Sequence, residues 1–322
     1  VPATISDSFI PVSVSTLSSS VTLGMNLFRP SEQQGKYQLY REASYPFTDS
    51  DLIRLRERGI SQLFIQQQDR ETYQQYLRDL AFQASGESKV PISARAQALG
   101  SVVRDVLAGA FERRDGDETV SLASELGFAT ANIVCEDAFA ASDLSRVLNH
   151  DYATFTHSTN VALYAGILAK QLGYQHADVQ LITTGGLLHD FGKLEIDEKI
   201  LRKPGRLDEV EFRAVRRHPT SGFVQLAGRE DLTEGQLMMV YQHHERIDGT
   251  GYPVGLVDQE IHPWAKLCAV VDVFEALTSH RPYRSPMPKK RAIELMQRDA
   301  GQAFEPEILE CWVEITQSYW HA

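Results

Sequence analysis

The feature that most restricts what this chain can fold into is a set of metal-capable side chains placed along helical segments. His189-Asp190 is followed by Phe191-Gly192-Lys193, with His157 upstream and His218, His243, His244 and Asp272 downstream. Each stands inside, or at the end of, a stretch whose apolar residues recur at helical spacing. Ligands distributed in this way converge only if the helices pack with those faces inward, so the pattern asks for a site built in a helical core. An imidazole takes one ion through a ring nitrogen, and an adjacent carboxylate can bridge to a second. A lone histidine is more often a satisfied core or surface residue; it is the number and placement here that reverse the odds.

Bulk properties set outer bounds. At 322 residues the chain exceeds one typical domain, and about two are expected. With 43% hydrophobic and 23% charged residues it reads as a soluble globular protein. It has no run of about eighteen apolar residues, so a membrane span is not expected. Val1 to Ile10 lacks a basic start followed by an apolar stretch, which argues against an intact secretory signal. Cys135, Cys268 and Cys311 are far apart and odd in number, which suits a reducing cytoplasm and gives no zinc-knuckle spacing. A net charge of −11 disfavours nonspecific binding to a nucleic-acid polymer. Positive charge is nevertheless clustered at Lys199, Arg202, Lys203, Arg206, Arg213, Arg216 and Arg217, and again at Arg281, Arg284, Lys289, Lys290 and Arg291. Such clusters are either solvated helix faces or a local field that draws in an anionic substrate.

Residues 1–85 read as a small regulatory or sensory α+β domain. Phe9 to Val14, Leu23 to Phe28, Tyr37 to Tyr40 and Gln62 to Ile65 are strand candidates. Thr48 with Asp51 marks a helix start, and Gly59 a stop. A helix is expected over Gln68 to Gln83. Residues 86–130 read as a connecting helical segment, with apolar periodicity from Ile92 to Phe111 that suits pairing of two chains. Residues 131–322 are expected to be helical near 131–148, 154–172, 177–190, 208–217, 232–244, 263–280, 288–299 and 305–319.

The stretch His243-His244-Glu245-Arg246-Ile247-Asp248-Gly249-Thr250-Gly251-Tyr252-Pro253 resembles the signature of the HD-GYP family, bacterial cyclic di-GMP phosphodiesterases within the HD hydrolase superfamily. His157-Ser158 with Val161-Ala162 and Tyr164-Ala165 resembles the first ligand helix of that family. Gly186-Leu187-Leu188-His189-Asp190-Phe191-Gly192-Lys193 resembles the second. The run Val271 to Thr278, then Arg281-Pro282-Tyr283-Arg284, resembles the last ligand helix and the substrate loop. The likeness covers roughly residues 140 to 318. It implies an α+β chain overall, with an all-α HD-GYP helical bundle after the strand-containing domain.

The resemblance also implies a ligand set of His157, His189, Asp190, His218, His243, His244 and Asp272, with Asp190 as the bridge. It implies two divalent ions, iron by preference, whereas mixed imidazole and carboxylate ligands by themselves also admit manganese, zinc or nickel. Some relatives hold a third ion through a glutamate one turn before the first histidine; Ala153 stands there and cannot ligate, although Glu245 beside the histidine pair offers a carboxylate. Lys193 is expected at the scissile phosphate or the shared hydroxide, and Arg281, Arg284 and Tyr252 at the substrate. Two ions about 3.5 to 4 Å apart acidify a shared water and clamp the phosphate. The implied reaction is hydrolysis of cyclic di-GMP to pGpG and onward to GMP. Two alternatives are a phosphodiesterase preferring cyclic GMP-AMP and a cyclic dinucleotide receptor or scaffold that contacts signalling proteins with little turnover.

Overall fold

The computed structural model describes residues 9–19, 22–31, 36–82, scattered positions between 92 and 102, 116–136, 154–201, 203, 205–279 and 285–320. The chain divides into two compact units, Val1–Val102 and Val103–Ala322. Arg281, Arg284 and Ala153 lie outside the described residues, as does most of the Ile92 to Phe111 segment.

The first unit holds four antiparallel strands: β1 (Phe9–Ser13), β2 (Leu27–Pro30), β3 (Tyr37–Arg41) and β4 (Gln62–Gln66), in sheet order β1-β4-β2-β3. Val12 pairs with Leu63 and Ile10 with Ile65, and the alternation buries Val12, Leu27, Leu63 and Ile65 on one face. The stretch read as a strand from Leu23 to Phe28 pairs only from Leu27 onward. Leu23 and Met25 are buried from irregular backbone, which burial alone cannot distinguish from a strand. Helix α1 (Asp49–Glu57) opens on a capping box between Thr48 and Asp51 and ends before Gly59, at φ +65°. Asp51 is fully buried and takes the guanidinium groups of Arg41 and Arg54. Helix α2 (Arg70–Ala81) is tied to the segment after β1 by Tyr76, whose hydroxyl accepts from the Ser18 N–H at 2.8 Å and donates to the Thr16 carbonyl at 3.0 Å.

Among the described residues, the second unit has helices and two isolated bridges, Asp248 with Val257 and Ala300 with Phe304. Its described helices are α3 (Gly116–Glu136), α4 (Thr154–Gln171), α5 (His176–Leu188), α6 (Glu198–Leu201), α7 (Glu209–Val215), α8 (His218–Leu226), α9 (Glu234–Gln242), α10 (Pro263–Thr278), α11 (Lys289–Arg298) and α12 (Pro306–Trp320). Helix α5 is central and packs on α3, α4 and α9, while α10 packs on α4 and α9. An aromatic cluster of Tyr164, Phe274 and Trp312 locks α4, α10 and α12 together. Helix α10 begins where His262 caps it, accepting from the Trp264 N–H, with Pro263 in the first turn. The His262 N–H in turn donates to Gln242 at the end of α9. These contacts hold α4, α9, α10 and α12 against one another. No described helix is long and apolar enough to cross a membrane.

Candidate metal centre

All seven side chains expected as ligands converge in the second unit. His157 comes from α4, and His189 and Asp190 from the exit of α5. His218 comes from the first residue of α8, His243 and His244 from the end of α9, and Asp272 from α10. Asp190 leads into a 3-10 turn, Phe191–Glu195, which carries Lys193. Gly192 of this turn packs so tightly on the start of α8 that an added Cβ would lie 2.0 Å from the His218 carbonyl oxygen. That contact brings Asp190 beside His218.

The ligand atoms fall into two halves. His157, His189 and Asp272 form one, and His218, His243 and His244 the other, with the atoms of each group within 4.8 Å of one another. Asp190 stands between them. Its Oδ2 is 3.5 Å from Nε2 of both His157 and His189, and its Oδ1 is 3.2 Å from His218 Nε2 and 3.9 Å from His243 Nε2.

Tautomers follow from the partners of the other ring nitrogens. His189 Nδ1 donates to the Gly186 carbonyl at 2.7 Å, His218 Nδ1 to that of Val215 at 2.7 Å, and His243 Nδ1 to those of Met239 and Val240 at 3.0 and 3.1 Å. A carbonyl can only accept, so each Nδ1 carries the proton and each Nε2 keeps a lone pair. His218 Nε2 and His243 Nε2 are then two acceptors 3.2 Å apart. Asp190 Oδ1, also beside His218 Nε2, is buried and accepts no hydrogen bond. Lone pairs gathered like this repel unless a cation lies among them, so the donor set fits a divalent metal. Burial and neighbouring imidazoles hold His243 well below the usual histidine range, and burial takes His244 down to about 3 despite Asp272. Neutral rings are the ligating form.

His157 is different. Its Nδ1 donates to Glu275 Oε2 at 2.5 Å, and its Nε2 lies 3.1 Å from Asp272 Oδ1. Burial pushes the His157 pKa down, but Glu275 and Asp272 outweigh it and raise the ring to about 9. Glu275 is 2% exposed and also accepts from Asn160 Nδ2 at 3.0 Å and from the Ser279 hydroxyl at 2.5 Å. Burial raises the Glu275 pKa less than these partners lower it, to about 2. Asp190 and Asp272 are likewise buried, yet the surrounding cations and histidines keep both well below the usual carboxylate range. Lys193 is ion-paired with Asp190 Oδ2.

Glu275, Asn160 and Ser279 are absent from the residues read off the motifs. A signal existed: Glu275 follows Asp272 by three positions and Asn160 follows His157 by three, so each shares a helix face with a ligand. The idea that Glu245 substitutes for the missing carboxylate at Ala153 is corrected. Glu245 Oε1 accepts from the N–H groups of Val254 at 2.7 Å and Gly255 at 3.1 Å, and Oε2 from those of Gly255 and Leu256, both at 3.1 Å. Both oxygens are committed to holding the loop after the histidine pair. In that loop Gly249 adopts φ +76°, whereas Gly251 is required for close approach, since a Cβ there would meet the Arg246 nitrogen at 2.4 Å. Asp248 accepts from the Thr250 N–H at 2.9 Å and pairs with Arg246, a structural role.

A protein-family model described as an HD domain matches residues 139–308. The chain therefore belongs to the HD domain family, and the loop after its histidine pair is the stretch that resembles the HD-GYP signature. It is 38% identical over 180 residues to a cyclic di-GMP phosphodiesterase of Pseudomonas aeruginosa, covering 56% of this chain and 43% of that protein. To the cyclic di-GMP phosphodiesterase response regulator RpfG of Xanthomonas campestris pv. campestris it is 36% identical, over 52% of this chain and 45% of the relative. To 3'3'-cGAMP-specific phosphodiesterase 3 of Vibrio cholerae it is 39% identical, over 48% and 33%. The chain thus spans less than half the length of the curated relatives it matches. Among solved structures, Bd1817, a HDG"Y"P protein from Bdellovibrio bacteriovorus, superposes with a TM-score of 0.65 over 96% of this chain and 99% of that one. At 21% identity this shows a shared fold.

Proposed function

We propose that this chain is a metal-dependent phosphodiesterase that opens cyclic di-GMP to linear pGpG and carries it onward to GMP. The observation that supports this most is the placement of Asp190, with one carboxylate oxygen turned to each half of the ligand set. In this reading His157, His189 and Asp272 hold one ion, His218, His243 and His244 hold the other, and Asp190 is shared. The family resemblance favours iron in both positions; manganese, zinc and nickel suit the same ligands. Bound ions there would lower the pKa of water and neutralise charge on the phosphate oxygens.

The protein's own groups supply the rest. Lys193, held beside Asp190, is placed to meet a phosphate entering the centre. Arg281 and Arg284, after α10, supply bidentate donors to the substrate. His244 is a quarter exposed and forms the open edge of the ligand set, whereas His157, His189, His218 and His243 are buried. Substrate therefore enters past His244 and the Tyr252 loop.

The test is timed chromatography of cyclic di-GMP and, separately, 3'3'-cGAMP with anaerobically purified protein supplied with ferrous iron or manganese, and Asp190→Ala as control. Linear product from wild type alone is expected. Intact nucleotide with every metal refutes the enzyme and favours a receptor, and preferential cleavage of 3'3'-cGAMP reassigns the substrate.

A further inference from the structure

The proposed chemistry uses none of the guanidiniums in the basic cluster before His218, and one of them, Arg216, lies against the loop that follows the histidine pair. Arg216 lies two residues ahead of His218, in the turn between α7 and α8, and its Cζ sits 4.4 Å from the centre of the Tyr252 ring. Tyr252 is itself stacked on His244, centroids 4.7 Å apart and planes 28° apart. His244 and Arg216 therefore both pack against the Tyr252 ring. Arg216 is linked to the His244 edge of the metal centre through Tyr252. Tyr252 thus fixes the position of Arg216 beside that edge.

The charge of Arg216 is also uncommitted. Several other cations of the helical unit are paired, Lys203 with Glu211, Arg229 with Asp117 and Asp231, and Arg246 with Asp248. Arg216, among the described residues, has ring partners only, Phe212 and Tyr252. A cation over a ring is held by the π face while its N–H donors remain available to an anion. Its backbone is also fixed, because the His218 ring donates to the Val215 carbonyl just before it and Gly192 packs on the His218 carbonyl just after.

We propose that Arg216 is a substrate-binding residue that grips the second, non-reacting phosphate of a cyclic dinucleotide. This rests on the phosphodiesterase reading above. With one phosphate at the ions and Lys193, the guanidinium held on the Tyr252 ring is not needed by that phosphate. It is suitably placed for a second anionic group on the same ligand, which a cyclic dinucleotide has and a simple diester lacks. Lysine would supply charge there without the planar fork.

The experiment compares wild type, Arg216→Ala and Arg216→Lys, all manganese-loaded, on cyclic di-GMP and on bis(p-nitrophenyl) phosphate, a diester with one phosphate. Loss of a charge-assisted contact predicts a KM for cyclic di-GMP raised about 10- to 100-fold in Arg216→Ala, with kcat within about twofold. Turnover of the small diester should stay unchanged, and Arg216→Lys should recover part of the KM. An unchanged KM in Arg216→Ala, or equal losses on both substrates, overturns the proposal. Wild-type protein that cleaves the small diester and leaves cyclic di-GMP intact defeats the substrate reading instead, a result visible before any variant is made.

Discussion

Replacing Glu275 by glutamine tests how the site is held. His157 is the ring whose Nδ1 proton goes to a carboxylate, while His189, His218 and His243 use backbone carbonyls. An amide at Glu275 removes the charge that faces His157 and keeps all three partners only if Asn160 and Ser279 turn to accept from it. With its oxygen toward His157, its NH2 faces the donors Asn160 Nδ2 and Ser279 Oγ; with the amide flipped, it presents N–H groups to the His157 Nδ1 proton. The lost interaction is a buried, charge-assisted one, worth about 1.5–3 kcal/mol, and partners of this kind typically govern metal affinity by about 10- to 100-fold. Manganese titration followed by the electron paramagnetic resonance of the free ion should therefore show one binding event weakened by about that factor in Glu275→Gln. The event assigned to His218, His243 and His244 should move by less than about twofold, and Glu275→Asp should lie between. Two events unchanged in a folded Glu275→Gln protein would refute the claim that this carboxylate sets the affinity of the His157 half.

Two further outcomes concern the scaffold. Gly192→Ala places a methyl group into the His218 carbonyl and the Gly222 backbone, so the start of α8 must shift; we expect weakened binding at the His218 half with little change in helix content, read by titration and circular dichroism. In the first unit, burial opposes ionisation of Asp51, but the Thr48, Arg41 and Arg54 hydrogen bonds prevail and lower its pKa. A carboxylate whose folded pKa is depressed stabilises above its unfolded value near 3.8 and loses that contribution as pH falls below it. Asp51→Asn should accordingly cost stability at pH 7, on the order of 1–2 kcal/mol, since Arg41 and Arg54 are partly exposed and can turn to water. The difference from wild type should shrink in acid melts, and an equal difference at both pH values would contradict the assignment.

Much of the helical unit is readable because its helices announce their ends. Capping boxes at Asp208 with Glu211 and at Thr233 with Gln236 start α7 and α9, and His262-Pro263 starts α10. Helix α8 is not foreseen, because its nine residues show too few apolar repeats and its first side chain is a candidate ligand. The start of α3 falls inside the stretch read only as a connecting helical segment: Gly, Ala, Ser and Thr lie between its larger apolar residues, so no strong stripe marks where the helix begins, although ten of its positions are buried. At the site, residue types reveal ligands, since few other side chains can do that chemistry. The supporting groups are a different matter. Glu275 is 118 positions from His157, and Arg216 reaches Tyr252 across a chain reversal, so these partnerships exist only through packing.

The central claim is that one carboxylate joins two ligand halves, and the most direct test is to count the metal. Protein purified anaerobically, saturated with manganese and freed of excess by equilibrium dialysis should carry two equivalents per chain by inductively coupled plasma mass spectrometry, with Asp190→Ala retaining fewer than one. Wild-type protein that saturates at a single equivalent, or an Asp190→Ala variant that still holds two, would contradict a centre bridged by Asp190.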